Sequence, residues 1–357
     1  MSRNLFSLLL TAMMPAGAAL AEMPRVAVDI APVHSLVSRV MAGVGTPSLI
    51  VSPGASPHEY SLRPSQARAL QDSDVVFWVS RGMTPWLKDG VETLATNAAV
   101  VELLETEGTL RLPFRQNALF SHDHGEEAGH DDHKDHDHDE HDHEDHDHEG
   151  HDHKDHADHD HGEDHAHDEK HDDHEDHAED GHHGHAHGSE DPHAWLSIDN
   201  GAHWLDVIAA QLSDVDPENA EAYQANAQEG QAELAALETE ISGLLEPVRG
   251  RNFIVFHDAY QYFENSFELP ASGAISLSDA SDPSPARIAQ VQARVAEQNV
   301  TCVLSEPQFN PGIIQAVMEG AKVNTGVLDP LGADLEPGAA LYPEVLRNLA
   351  RTLAGCL

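Results

Sequence analysis

Basic residues are scarce: 19 Lys and Arg stand against 63 Asp and Glu, a formal net charge of -44 over 357 residues. Neutralisation of phosphates by Lys and Arg drives non-specific binding to nucleic acid, so this charge balance excludes a nucleic-acid partner and favours a cation. Cysteine is nearly absent, with Cys302 and Cys356 alone, which leaves no material for a thiolate metal cage. Long apolar runs are missing after the first residues, and no other segment has the roughly 20 consecutive apolar positions needed to span a bilayer. Also missing are an HExxH helix, a nucleophile elbow and a phosphate-binding loop, so the common routes to a metalloprotease, serine hydrolase or NTPase are closed. The four tryptophans, at 78, 86, 195 and 204, are spaced as packing residues rather than as a sugar-stacking platform.

Residues 1–24, MSRNLFSLLLTAMMPAGAALAEMP, combine Arg3, an apolar stretch and small residues ending in Ala-Leu-Ala. This is the three-part pattern of a secretory leader, with cleavage expected near Ala21 and a soluble, exported product. An oxidising compartment favours pairing of the two cysteines, which would tie the chain end to the strand-like run NVTCVLS. On the loop-entropy model such a bridge stabilises by roughly 4 kcal/mol.

Short Val- and Ile-rich runs alternate with amphipathic segments. RVAVDI, SLIV, DVVFWVS and AAVVEL read as strands, with helices near 34–42, 64–71 and 84–95. After residue 250 the rhythm resumes in NFIVFH, ASGAIS, VTCVLS and NTGVL, with helices at 284–298, 311–321 and 341–353. The pattern predicts two α/β lobes, each a mostly parallel sheet flanked by helices. Between them, Tyr223, Ala227, Leu234, Leu237, Ile241 and Leu244 fall on one helical stripe, with Asp216 as the expected cap, Pro217 in the first turn and Pro247 at the end. A break near Gly230 is the alternative to one rigid helix. The expected division is a leader at 1–21, a first lobe at 22–214, a linking helix at 215–247 and a second lobe at 248–357.

Twenty-four of the 29 histidines lie between His122 and His187, in a segment, 121–189, with almost no large apolar residue. Residues 122–190 hold 29 of the acids and three of the basic residues. Such a segment cannot bury enough surface to offset chain entropy, so it is expected to be disordered without metal and to offer many weak, exchangeable sites. The five histidines outside it are more informative. His58 sits in a Gly- and Pro-rich turn after SLIV, His193 in EDPHAWLS, and His257 directly after FIVF. Asp329 follows the strand NTGVL. In open α/β sheets ligands gather beyond the carboxyl ends of strands, where His58, His257 and Asp329 fall. His34 and His203 lie on amphipathic segments and read as packing residues, and Glu59 reads as exposed.

The motifs SPHEYSLRPSQARALQDSD, a His-rich acidic segment, DPHAWLS, the long helix, FIVFHDAYQYFE, TCVLSEPQF and VLDPLG, in this order, resemble the ZnuA-type periplasmic zinc-binding receptors. These are metal-binding solute receptors of zinc ABC transporters, and the resemblance covers essentially the whole mature chain. It implies two lobes joined by one rigid helix with metal in the cleft between them, and it also implies the Cys302–Cys356 bridge. Carried over residue by residue, it assigns His58, His193 and His257 as imidazole ligands and Asp329 as the fourth, with water or Glu59 as alternatives. Pro57 stands where some relatives have an acid, and Glu59 follows the histidine instead. The resemblance further implies zinc as transported ligand rather than catalytic cofactor, and a monomer without enzymatic activity. Its expected partners are the membrane permease of a zinc ABC transporter and a periplasmic zinc chaperone. Three neutral imidazoles suit zinc, whereas oxygen-rich sites favour manganese, magnesium or calcium. A surface adhesin of similar fold is the competing reading, and the absence of a lipobox cysteine near the cleavage point argues against it.

Overall fold

A computed structural model describes residues 23–115, 120, 190–276 and 283–357 of the chain. The leader and the His-rich segment 121–189 expected from the sequence lie outside these residues.

The first sheet and its helices follow the order β1 (Val26–Val28), α1 (Ala31–Val40), β2 (Ser48–Leu49), α2 (Pro64–Gln71), β3 (Val75–Trp78), α3 (Leu87–Leu94) and β4 (Ala99–Glu102). Two helices follow, α4 (Ile198–Val215) and α5 (Ala220–Leu245). The second half contains β5 (Phe253–His257), α6 (Gln261–Phe267), β6 (Ala274–Ser276), α7 (Pro285–Glu297), β7 (Cys302–Ser305), α8 (Pro311–Val317), β8 (Asn324–Val327) and α9 (Leu341–Cys356). All strand pairs are parallel, and the sheets repeat one topology, β2-β1-β3-β4 and β6-β5-β7-β8. The two-lobed α/β fold expected from strand and helix alternation is therefore the observed one.

Strand periodicity explains how each sheet is sandwiched. In β5, Phe253 and Val255 join the large core that both lobes share, while Ile254 and Phe256 face a separate cluster with Val291 of α7 and Ile314 of α8. In β3, Val75 and Phe77 face the shared core, and Val76 and Trp78 face Leu70 of α2 and Leu87 of α3. Successive side chains point to opposite faces, so sheets covered on both sides need continuous apolar runs. His257 continues the parity of Phe253 and Val255 and thus turns toward the shared interior.

The stripe on α5 is continuous, ending on buried Leu245 rather than on the expected Leu244, which is part-buried. Tyr223, Ala227, Gly230, Leu234, Leu237, Ile241 and Leu245 are buried along 26 residues, roughly 39 Å of helix at 1.5 Å per residue. The helix packs on α1 and α4 of the first half and on α6 and α9 of the second. Gly230 does not break it. A Cβ there would sit 2.9 Å from Leu205 Cδ1 and 3.2 Å from Arg39 Cγ, so the missing side chain lets α4 and α1 approach closely. Asp216 differs from its expected role as cap of α5. A 3-10 turn, Pro217–Asn219, intervenes, and the Asp216 carboxylate instead accepts from the Tyr223 hydroxyl at 2.8 Å and from Asn219 Nδ2 at 2.8 Å. A side-chain hydroxyl one turn into the helix outcompetes the backbone amides.

Cys302 and Cys356 form a disulfide across 54 residues, with Cα atoms 5.7 Å apart, fastening α9 to β7. Trp195 and Tyr342 join the halves from the other side. Trp195 Nε1 donates to the Pro330 carbonyl at 2.9 Å, and the Tyr342 hydroxyl donates to the Trp195 carbonyl at 2.8 Å. Among the described residues no helix is long and apolar enough to cross a membrane.

Candidate metal centre

The structure brings three of the four expected residues together. One donor atom each from His58, His193 and His257 lies within 4.8 Å of the others, and no other such group of His, Cys, Asp or Glu occurs among the described residues. His58 comes from the turn after β2, His193 from the approach to α4, and His257 from the last position of β5. The His193 ring stands 5.3 Å from each of the other two, measured between centroids, in edge-on arrangements.

Two of the three imidazoles are buried and backed by carboxylates. His193 Nδ1 lies 2.7 Å from Asp191 Oδ1, which also accepts the His193 backbone N–H at 3.0 Å. His257 Nδ1 lies 2.6 Å from Glu306 Oε1, which accepts the His257 backbone N–H at 3.3 Å. An ionised carboxylate can only accept, and in that state each Nδ1 carries the proton and each Nε2 is the nitrogen that can bind a metal. His58 Nε2 and His193 Nε2 are 3.3 Å apart. Two nitrogens bound to one tetrahedral zinc at 2.0–2.1 Å would be separated by about 3.3–3.4 Å. The histidine pair already stands at ligand spacing.

Burial pushes the Asp191 carboxyl up to about 7, against the pull of the His193 N–H and of the nearby Arg115 guanidinium. Asp258, next to His257, is raised to about 6 by burial, with the Arg115 guanidinium pulling the other way. Tyr260 is raised well above its ordinary value by burial and by the charges of Glu306 and Asp329.

His58 is held through its loop. The Trp86 indole donates to the Pro57 carbonyl at 2.7 Å, immediately before His58, and its ring lies 5.3 Å from Tyr60. The Tyr60 hydroxyl in turn accepts from Gln66 Nε2 of α2 at 2.8 Å.

Asp329 stands outside the group. Its Oδ1 accepts the backbone N–H groups of Leu331 at 3.0 Å and Gly332 at 2.9 Å, and its Oδ2 accepts that of Ala333 at 2.6 Å. Both oxygens serve the DPLGA turn. Glu59 is exposed and also outside the group. His34 is buried in α1 with Nε2 3.1 Å from the Pro47 carbonyl, and desolvation lowers its pKa. His203 packs against Gly108, whose Cβ, were there one, would lie 3.1 Å from the ring. Sequence reasoning did not single out Glu306 or Asp191 as orienting groups. The available signals were an acid two residues before His193 and another directly after β7.

The geometry can be set beside known proteins. The family model described as zinc-uptake complex component A, periplasmic, ZnuA, matches residues 26–356. The chain belongs to the ZnuA family. It is 42% identical over 360 residues to the high-affinity zinc uptake system protein ZnuA of Brucella abortus (strain 2308), covering 99% of both chains. The protein of the same description from Paracoccus denitrificans (strain Pd 1222) is 42% identical over 348 residues, 97% of this chain and 95% of that one. A crystal structure of ZnuA matches with a TM-score of 0.66 at 20% identity, over 94% of this chain and 99% of that one. A zinc-bound ZnuA with residues 138–173 of its own numbering deleted matches with a TM-score of 0.65 at 20% identity, over 94% of this chain and 98% of that one. At such identity these two likenesses concern the fold. The resemblance read from the ordered motifs is thus the family of the whole chain.

Proposed function

We propose that this protein is a periplasmic zinc-binding receptor that captures one zinc ion on His58, His193 and His257 and delivers it to the permease of an ABC transporter. One observation carries the reading: donor nitrogens of three histidines from distant parts of the chain lie within 4.8 Å of one another, His58 and His193 at tetrahedral ligand spacing, with the Nδ1 atoms of His193 and His257 set against buried carboxylates. The ZnuA relatives, described as zinc uptake proteins, support the same cargo.

Loading is ligand exchange. Zinc sheds water, accepts three lone pairs and displaces any proton held on them, so affinity falls in acid as imidazoles with a reference pKa of about 6.5 become charged. Water takes the fourth position in this reading. Asp329 lies outside the group of donor atoms, so it supplies a fourth donor only if its turn shifts toward the imidazoles. Asp329→Ala should therefore change zinc affinity much less than His257→Ala. An equal loss would assign the carboxylate to the metal. Zinc is favoured over manganese by the nitrogen donors, while exclusion of copper or nickel is left to the transporter, since affinity alone ranks copper higher.

The His-rich segment 121–189 acts as an accessory zinc collector or sensor, holding zinc on many weak sites beside one strong one. A protein lacking residues 122–187 should keep about one tight site and lose the additional stoichiometry. Loss of tight binding on that deletion would move the principal site into the segment. The long helix restrains lobe motion, so scattering profiles of apo and loaded protein should nearly superimpose. A transfer role, rather than hydrolysis, predicts no turnover of ester or peptide substrates by the zinc-loaded protein. The deciding experiment is calorimetric zinc titration, with metal competition, of the mature chain and His58→Ala. Unchanged tight binding in the variant would overturn the ligand assignment.

A further inference from the structure

Arg115 is an internal charge clamp with no part in the ligand set. It ends a strap, residues 110–115, that belongs to the first half of the chain. Leu110 N–H donates to Asn200 Oδ1 at 2.8 Å, and Asp191 N–H donates to the Leu112 carbonyl at 2.8 Å. The strap is joined to the second half by Tyr262 of α6, whose hydroxyl accepts from Leu112 N–H at 2.9 Å and donates to the Asp191 carbonyl at 2.8 Å.

At its end Arg115 reaches two buried carboxylates of the second half. Nε donates to both oxygens of Asp258, at 2.9 and 3.0 Å, and Nη2 also bonds Asp258 Oδ1. Nη1 and Nη2 donate to the two oxygens of Glu264 at 2.8 and 3.0 Å. The guanidinium lies 3.6 Å over the Phe120 ring, and the Arg115 side chain is 19% exposed while those of Asp258 and Glu264 are 3% and 6% exposed. Glu264 Oε2 also accepts the Ala271 N–H at 3.1 Å. A rigid fork that satisfies two carboxylates from one side fixes orientation as well as charge, which a lysine point charge does not.

The placement matters because Asp258 follows His257 directly, and Asp191, held by the same strap, orients His193. We propose that Arg115 is a positioning residue for metal capture: by clamping the strap of the first half onto Asp258 and Glu264 of the second, it holds the His193 and His257 donor atoms within reach of one ion across the junction. The inference rests on the three-imidazole reading and adds to it the group that sets its geometry from outside.

The test compares the parent protein, Arg115→Lys and Glu264→Gln in two measurements: apo thermal stability, and zinc release rate by stopped-flow transfer to a chelator. Arg115→Lys keeps the charge and loses the fork, so it should release zinc about tenfold faster, the scale of other orienting contacts around metal ligands. A cluster that serves only folding would lower the apo melting temperature and leave the release rate within about twofold, which would overturn the proposal. Should Arg115→Lys fail to fold, Glu264→Gln, which retains the Asp258 half of the clamp, is judged by the same two outcomes. Absence of tight zinc binding in the parent, or its persistence in His257→Ala, would overturn the three-imidazole reading and the Arg115 role with it. Parent binding lost in His257→Ala, together with unchanged release from the clamp variants, would overturn the Arg115 role alone.

Discussion

In the first sheet the inner strand β1 runs into Asp29, and in the second the equivalent strand β5 ends on His257. Each junction is closed by one buried carboxylate, but from opposite sides. Asp29 accepts the N–H of Ile30 at 2.7 Å and reaches across to the N–H of Val79, just beyond β3, at 2.8 Å. In the second sheet the acid is Glu306, just beyond β7, and it reaches back to the N–H and the Nδ1 of His257. With the carboxylate on the first strand, both of its oxygens serve backbone amides and the junction is structural. With the carboxylate on the second, the first strand can end in an imidazole whose other nitrogen belongs to the group formed with His58 and His193. One topology therefore yields a closed end and a ligand-bearing end.

The largest test of this contrast concerns the staple that the second sheet alone carries. Replacing Cys302 and Cys356 together by Ser should cost about 4 kcal/mol of stability on the loop-entropy model, measured by denaturant titration. Next comes Asp29→Ala, which strands two buried amides. A loss of about 3 kcal/mol is expected, at roughly 1–3 kcal/mol per unsatisfied group, with zinc affinity unchanged in the folded protein. Glu306→Ala should reverse that pattern by weakening zinc binding about 10- to 100-fold in a competition titration. If Asp29→Ala weakened zinc as much, the division of labour between the two ends would be lost. Trp86→Phe keeps the packing on Tyr60 but removes the hydrogen bond to Pro57. It should cost about 1 kcal/mol of zinc binding free energy, read by calorimetry.

A pH dependence attaches to the same Asp29 carboxyl. Burial raises the Asp29 carboxyl to about 7, with its backbone hydrogen bonds opposing the shift. The folded state then holds a proton that the unfolded chain releases near the ordinary carboxylate range, so the stability linked to this group is full below about pH 4 and is lost as pH rises through about 7. Melting temperatures of the parent relative to Asp29→Asn should decline across that window. A flat difference would mean that Asp29 ionises as it does in the unfolded chain.

Much of the fold was legible because each inner strand, buried on both faces, must be apolar throughout, and each helix must show one stripe. RVAVDI, DVVFWVS and NFIVFH announced themselves in that way. Short α6, Gln261–Phe267, was not read as a helix because seven residues carry too few repeats of the helical period. Asp216 was misread as the cap of α5 because an acid before Pro signals a helix start without revealing the 3-10 turn between them. The convergence of His58, His193 and His257 could be suspected from their positions at strand ends and from ordered motifs. The roles of Glu306, Asp191 and Arg115 could not, since each depends on a neighbour 49, 2 or 143 residues away whose direction is set by packing.

The sequence by itself determined the alternation of strands and helices, the acidity that excludes polyanions, the pairing of two cysteines and the scarcity of histidines outside residues 122–187. Local composition and periodicity carry those properties, and they survive in an extended chain. Only the tertiary structure decided the strand order, the spacing of the imidazole nitrogens, the commitment of Asp329 to its own turn and the use of Glu306 as an orienting group. Those depend on where side chains from distant segments point once the sheets are packed, because a hydrogen bond or a metal bond is formed within a few tenths of an ångström and one-dimensional spacing carries no such distance.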